Sequence, residues 1–495
     1  MISAEQQAVV EHRGNARVLA AAGSGKTHTM IHYAKARPDQ RILYLAFNRS
    51  VKEEAIRRFF EAGCGNVQVE TAHSLAYREM DVRRRYRLHD GGSLKVYDIV
   101  LLCGLKANPQ DPTFHLVMAR HIQGALAAFC NSSLSKFDEL DYLSGIVDKK
   151  ARGFVSTHYD TILGHARSLL GQMYQSKIPV THDAYLKFYQ LTKPALPHSC
   201  ILLDEGQDSN PVMLDVFLSQ KGTRVIVGDS HQAIYGFRNA VDSLEKVDFP
   251  QFTLSHSYRF GQTIADYAMK ILTGKALLGR YKDPLHIIGA GRHAESTDAP
   301  RTHAVIARTN LMLLRQAIAA MLRENVSRMY FEGDLNSYTY MSEGASLFDV
   351  LYLRMGQLAK IKNPFIRGFG NFLSLQQYIQ EADDGELAMV VEIVEEYGPD
   401  LFTYIRMLRE KQVPRDAAQR IFATTHKAKG QGYDKVEVCS DFLTPDKLEK
   451  VLKKASEVKG GMEALDRDAL AEEVNMVYVA VTRAKKELFL HFPMD

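Results

Sequence analysis

Short apolar runs alternate along this chain with stretches in which apolar residues recur every three or four positions. The runs Arg41–Phe47, Cys200–Leu203, Arg224–Val227, Ala304–Ala307, Val436–Cys439 and Glu487–Phe492 predict buried strands, as does the run opening at Arg17. The intervening stretches predict amphipathic helices. In Val51–Phe60, Val51, Ala55, Ile56 and Phe59 share one face, with Lys52, Glu53, Arg57 and Arg58 opposite. Short apolar strands between such helices imply an α/β fold with parallel sheets. The earlier segments are expected to fill one sheet, and the three from Ala304 onward a second. Two helix-rich stretches, about Val82 to His182 and about Tyr340 to Ala417, show no clear strand alternation and read as insertions into the sheet domains. No Gly/Ser linker, repeat or low-complexity tract marks a boundary. Pro445–Asp466 is charged and helical in pattern, which predicts a smaller surface insertion.

Composition narrows the class. The 495 residues exceed one ordinary core, so several domains are expected. Hydrophobic content of 46% and charged content of 24% are those of a soluble globular protein. No run of eighteen apolar residues occurs, and Met1–Gln6 has no basic or apolar leader character, so neither a membrane span nor a signal peptide is expected. The five cysteines are scattered and form no C-x-x-C pair, which argues against zinc, iron–sulfur or disulfide frameworks. A net charge of +4 permits nucleic-acid binding without requiring it.

Two stretches carry the chemistry. In Ala20-Ala21-Ala22-Gly23-Ser24-Gly25-Lys26-Thr27 an apolar strand runs into a Gly-Ser-Gly turn, and Lys-Thr opens a helix. This is a P-loop pattern, although Ala20 stands where the common pattern has Gly. Glycines let backbone N–H groups face a triphosphate, Lys26 reaches the β/γ-phosphates, and the Thr27 hydroxyl holds Mg²⁺. In Ile201-Leu202-Leu203-Asp204-Glu205 a buried strand ends in paired carboxylates. Asp204 suits a Mg²⁺ contact, and Glu205 suits polarising an attacking water. A chance Gly-rich turn and an ordinary acidic turn are the plainer readings. Their joint occurrence is far rarer.

With these stretches in hand, the chain resembles superfamily 1 DNA helicases of the UvrD/Rep/PcrA type, and within them the F-box DNA helicase branch without an F-box. The resemblance rests on motifs in family order from Gln6 to Arg483. Ile2–Gln6 resembles the Q motif, Leu45–Ser50 motif Ia, Thr71–Ala76 motif Ib, and Val227–Arg238 motif III. Leu254–Phe260 resembles motif IV, Ala307–Asn310 motif IVa, Thr424–Gly430 motif V, and Val477–Ala484 motif VI. Thr181–Leu186 and Asn363–Arg367 point to the F-box branch.

The resemblance implies two RecA-like P-loop NTPase domains with parallel sheets, each with a mainly helical insertion. The expected limits are 1–82 and 183–262 for the first domain and 83–182 for its insertion. The second domain is expected at 263–339 and 418–495, with a short insertion at 340–417. ATP and Mg²⁺ are the implied cofactors. The implied nucleotide-binding residues are Gln6, Gly23, Ser24, Gly25, Lys26, Thr27, Thr29, Tyr258, Arg259 and Arg483, with Gln6 reading adenine and Tyr258 stacking on it. Lys26, Asp204, Glu205, Gln232, Arg259 and Arg483 are the implied catalytic set, with Gln232 as γ-phosphate sensor and the two arginines as fingers. Thr27 and Asp204 are the metal ligands. Phe47, Asn48, His73, Tyr235, Phe237, Arg308, Asn310 and His426 are the implied DNA contacts, and Arg83–Arg87 is a basic run that is either a solvated face or a further contact.

The implied activity is an ATP-dependent DNA helicase and single-strand translocase, 3′→5′, acting in repair or recombination. The implied partners are single-stranded DNA, duplex junctions and recombinase or repair proteins, with no membrane and a monomeric chain. The implied location is the nucleoid-associated cytoplasm of a prokaryote or the nucleus of a eukaryote. A translocase that strips proteins with little unwinding, and a weakly hydrolysing DNA-binding scaffold, are the alternatives. Two departures stand out. Gln431-Gly432-Tyr433 replaces the Leu-Glu-Phe whose Glu contacts ribose in the family, and the second insertion is much shorter than in UvrD.

Overall fold

The structure, a computed structural model, describes residues 2–107, 110–236, 240–279, 286–291, 301–457, 461–462 and 465–492. Two parallel sheets organise it. The first has six strands in the order β3-β2-β4-β5-β1-β6. These are β1 (Ala16–Ala20), β2 (Ile42–Ala46), β3 (Val67–Thr71), β4 (Cys200–Leu203), β5 (Thr223–Gly228) and β6 (Gln251–Leu254). A two-stranded ribbon follows, β7 (His256–Ser257) and β8 (Ile288–Gly289). The second sheet comprises β9 (His303–Ala307), β10 (Met329–Phe331), β11 (Arg420–Thr424), β12 (Tyr433–Val438) and β13 (Ala484–Leu490), ordered β10-β11-β9-β12-β13.

The α/β class with two parallel sheets is therefore as expected, but four strands of these two sheets escaped the apolar-run criterion: β3, β6, β10 and β11. Each is short or interleaves polar residues, as in Val-Gln-Val-Glu-Thr of β3, and gains its strand character from its neighbours. The second sheet consequently has five strands, where three were expected. Strands β2 and β4 are buried throughout, because helices cover both faces. Burying each such side chain contributes about 1.5–3 kcal/mol.

Among the described residues no named strand lies between β3 and β4 or between β10 and β11; both intervals are helical. The two helical stretches pack on one another and share one apolar cluster with both sheets. A polar seam joins them. The Glu343 carboxylate accepts from Val96 N–H (2.8 Å) and from the Gln123 amide (3.1 Å), His121 Nε2 lies 3.0 Å from Glu381 O, and Lys150 pairs with Glu381 at 3.0 Å. The expected surface insertion contains the helix Pro445–Ser456, held by buried Leu448.

All strands of a parallel sheet end on one edge, so β1, β4 and β5 deliver their following loops to the same side. That is the edge where ligands of open α/β sheets bind.

Candidate active site between the two sheets

The loop after β1 is shaped by two glycines that no other residue replaces. Gly23 has φ +79°, and a Cβ there would lie 2.6 Å from the Arg259 Cβ. Gly25, at φ +81°, caps the helix Lys26–Lys35 from the left-handed region. Tyr258 N–H donates to Gly23 O (2.9 Å), and the Gln6 amide donates to Ser24 O (3.2 Å). Gln6 also closes the capping box of the first helix through Ser3. Gln6 is buried, and its amide supports the loop from the first helix. The Tyr258 ring stands exposed beside the loop. Thr29 is fully buried, and its hydroxyl donates back to Gly25 O (3.1 Å). Thr29 lies on the inward face of its helix, where that bond braces the turn.

Lys26 Nζ donates to Glu205 Oε2 at 2.7 Å. Glu205 adopts φ +51°, an uncommon conformation for a non-glycine, which turns its carboxylate out of the end of β4. Asp204 faces inward and accepts a hydrogen bond from the Tyr44 hydroxyl. Burial and the adjacent Glu205 raise the Asp204 pKa. For Glu205 burial acts upward, but Lys26 and Lys429 overcome it and hold the carboxyl well below its ordinary range. The two neighbouring carboxyls are thus shifted in opposite directions, Asp204 upward and Glu205 downward.

The second sheet supplies cations to the same cluster. Arg483 is 1% exposed, at the turn between the helix Arg467–Val481 and β13. Its guanidinium donates to Gln232 Oε1 (3.3 Å), Thr482 Oγ1 (3.0 Å) and Val479 O (2.9 Å). Arg259 donates to Thr482 O (3.1 Å). Burial and Arg259 lower the Arg483 pKa to about 9, which leaves it charged at neutral pH. The Tyr478 hydroxyl bridges the sheets, donating to Asp229 Oδ2 (3.0 Å) and accepting from Ala22 N–H (3.4 Å).

Three participants were not singled out from sequence: Asp208, Lys429 and Asp229. Lys429 Nζ donates to Asp208 Oδ2 and to Gln232 O, and lies 4.9 Å from the Tyr235 ring centroid. Asp229 Oδ2 accepts from the Gln232 amide at 2.7 Å. Their places inside the Asp-Glu, Gly-Asp and Lys-Gly blocks were the signal.

A cavity of about 430 Å³ opens behind the carboxylates, lined by Phe47, His73, Asp204, Glu205, Asp208 and Tyr235 among others. Phe47 and Tyr235 stack at 5.5 Å. The Tyr235 hydroxyl donates to His426 O (3.2 Å), and His426 Nε2 lies 2.9 Å from Ile234 O. Candidate track residues from both sheets therefore meet here. Asn48 caps the helix Arg49–Glu61, its Oδ1 accepting from Val51 N–H, and Asn310 opens the helix Asn310–Arg323. His73 is mostly enclosed, against His182 and Tyr185. The Arg308 guanidinium makes a bidentate pair with Glu473 (2.8 and 2.5 Å). His426 is engaged with motif III. Phe237 lies outside the described residues.

The cluster fits a nucleoside triphosphate with a divalent ion. Ser24 Oγ and Asp208 Oδ1 are buried with no hydrogen-bond partner among the described residues. Thr27 and Asp204 offer hard oxygens, and no group of three or more His, Cys, Asp or Glu among the described residues could hold a metal by itself. Phosphate and water oxygens would complete such a shell, the usual arrangement for Mg²⁺. Beside Arg259, where the family has its ribose-contacting Glu, Gly432 instead faces Lys485, whose Cε would lie 3.0 Å from a Cβ there.

Residues 5–238 match the AAA domain family model, and residues 368–493 match the UvrD-like helicase C-terminal domain. The chain is 29% identical to F-box DNA helicase protein 1 of Schizosaccharomyces pombe, over 99% of this chain and 57% of that protein. It is 28% identical to F-box DNA helicase 1 of Gallus gallus, over 98% of this chain and 48% of that protein. A probable DNA helicase II homolog of Rickettsia felis is 26% identical over 48% of this chain and 38% of that protein. The chain thus spans about half the length of the F-box relatives it matches. These matches bear out the resemblance to UvrD-type superfamily 1 helicases, with F-box DNA helicases among the relatives.

Proposed function

We propose that the chain is an ATP- and Mg²⁺-dependent DNA helicase and single-strand translocase of 3′→5′ polarity, acting in repair or recombination. The observation that carries this reading is one polar cluster built from both sheets: Lys26 and Glu205 from the first, Arg483 from the second, with Gln232 hydrogen-bonded to Arg483. The sheets are read as two RecA-like domains, with the limits 1–82 and 183–262, and 263–339 and 418–495. The helical stretches 83–182 and 340–417 are read as their insertions.

The roles follow from placement. Lys26 and the N–H groups of Gly23–Thr27 bind the β/γ-phosphates, and Thr27 with Asp204 holds Mg²⁺. Bound Mg²⁺ supplies neutralisation of phosphate charge. Glu205, kept ionised, polarises the attacking water. Arg259 and Arg483 stabilise charge on the transferring phosphoryl group, a contribution of roughly 10³–10⁵ in rate for such a guanidinium. Gln232 reports the γ-phosphate to Tyr235, three residues on. Phe47 and Tyr235 stack on bases of single-stranded DNA, so opening and closing of the sheets moves the grip along the strand. Among the described residues no helix is long and apolar enough to cross a membrane. A nucleoid or nuclear location and a monomeric state belong to the same reading.

Matched 3′- and 5′-tailed duplexes incubated with ATP test it. Unwinding of the 3′-tailed substrate alone supports the reading. Streptavidin displacement from a 3′-directed track without unwinding supports the stripping translocase instead. Neither activity, with single strands still bound, supports the scaffold.

A further inference from the structure

Lys275 is fully buried, yet it is a lysine. It lies on the helix Gln262–Ala276, whose Ile264, Ala268, Ile271 and Leu272 belong to the apolar core of the second sheet. It lies on the same helix face as these residues, and its ammonium meets the first sheet's motif III turn, where Nζ is 3.1 Å from His231 Nδ1. Lysine carries only donors, so His231 must accept there and hold its proton on Nε2. Burial and Lys275 keep the His231 pKa well below its ordinary value, consistent with a neutral acceptor. Asp229, Glu245 and Asp242 are the acidic groups around the ammonium, and they oppose the burial that lowers the Lys275 pKa to about 8.

His231 is one residue from the sensor. Its N–H donates to Asp229 Oδ1 (3.0 Å), while Asp229 Oδ2 accepts from the Gln232 amide (2.7 Å) and the Tyr478 hydroxyl (3.0 Å). The Asn475 amide donates to Ala233 O (2.8 Å) on the far side of the turn. The 3₁₀ turn Ser230–Gln232 is therefore held by three side chains of the second sheet's helices: Lys275, Tyr478 and Asn475. A buried ammonium is costly, and an apolar chain of similar volume is commonly as stable or more so. Among the things a lysine adds over a methionine is a directional tie to His231.

We propose that Lys275 is a positioning residue: through His231 it couples the second sheet to the turn that aims Gln232 at the γ-phosphate. The proposal rests on the helicase reading of the site. Lysine-to-methionine substitution preserves volume and removes the charge. In Lys275→Met, DNA-stimulated kcat falls roughly tenfold or more, as loss of a hydrogen bond from a charged group predicts. KM for ATP and the affinity for single-stranded DNA stay within about twofold. Lys275→Arg restores part of the loss, and the effect is not additive with His231→Phe. Hydrogen exchange supplies a readout independent of turnover: the His231 and Gln232 amides exchange faster in Lys275→Met, while those of residues 23–27 do not.

Wild-type kcat in Lys275→Met would overturn the proposal. So would a parallel change in kcat, KM and melting temperature, or full additivity with His231→Phe. If the wild-type protein shows no DNA-stimulated hydrolysis, the helicase reading fails, and unchanged exchange at 231–232 is what then rejects the coupling through Lys275.

Discussion

Lys429 and Asp208 form the most deeply buried ion pair across the two sheets, with side chains 9% and 0% exposed. Replacing Lys429 with Met leaves the Asp208 carboxylate with only the Gln207 amide, 3.3 Å from Oδ2, while Oδ1 has no partner. Breaking a buried pair by removing one partner typically costs about 3–5 kcal/mol. Protonation limits that cost here. Burial already raises the Asp208 pKa to about 6, against the pull of Lys429. Without Lys429 it rises further, so at pH 7 the carboxyl takes up a proton. Each unit between pH and that pKa costs about 1.4 kcal/mol, so the net loss at pH 7 is about 1–2 kcal/mol. The sign follows: the penalty is smallest at pH 5, where Asp208 is neutral, and grows as pH rises through its folded pKa. Melting temperatures of wild type, Lys429→Met, Asp208→Asn and the double variant, measured from pH 5 to 8, form the test. The account expects the Lys429→Met deficit to widen with pH and the Asp208→Asn background to abolish that widening. A pH-independent deficit, or strict additivity, would refute the reasoning.

Other expectations follow from the same contacts. Tyr235→Ala should weaken single-strand binding by about 1–3 kcal/mol, the worth of one base stack, seen as a Kd change in fluorescence anisotropy. Tyr235→Phe, which keeps the ring and loses the bond to His426 O, should cost that binding less than Tyr235→Ala does. The His303 contact, acting against burial, and then Arg420 and His491 lower the Glu437 pKa to about 2. A depressed carboxylate stabilises the fold above its unfolded pKa of about 4.5 and loses that contribution as pH falls toward 2. Glu437→Gln should therefore melt lower at neutral pH, with the gap narrowing below pH 4.5.

The cradle was readable because its chemistry is local: Gly23, Gly25, Lys26 and Thr27 are adjacent, and φ above zero at both glycines follows from their type. The long apolar strands were readable for the same reason. Strands such as β3 were not, since Gln68 and Glu70 dilute the apolar pattern and only pairing with β2 makes the segment a strand. Side-chain commitments across long separations were the hardest. The pairing of Arg308 with Glu473, 165 residues later, is visible only in the fold. Lys275 shares the helix face of Ile264, Ala268 and Ile271, and its contact with His231, 44 residues earlier, is visible only in the fold. A motif names neighbours and not directions, so the bonds from the Gln6 amide to Ser24 O and from the Thr29 hydroxyl to Gly25 O were not legible in it.

The central claim is that Arg483 of the second sheet acts on a triphosphate held by Lys26 of the first. Steady-state ATP hydrolysis by Arg483→Ala, with saturating single-stranded DNA, tests it most directly. The account predicts a kcat about 10³-fold or more below wild type, with single-strand affinity retained. A kcat within a few-fold of wild type would contradict it.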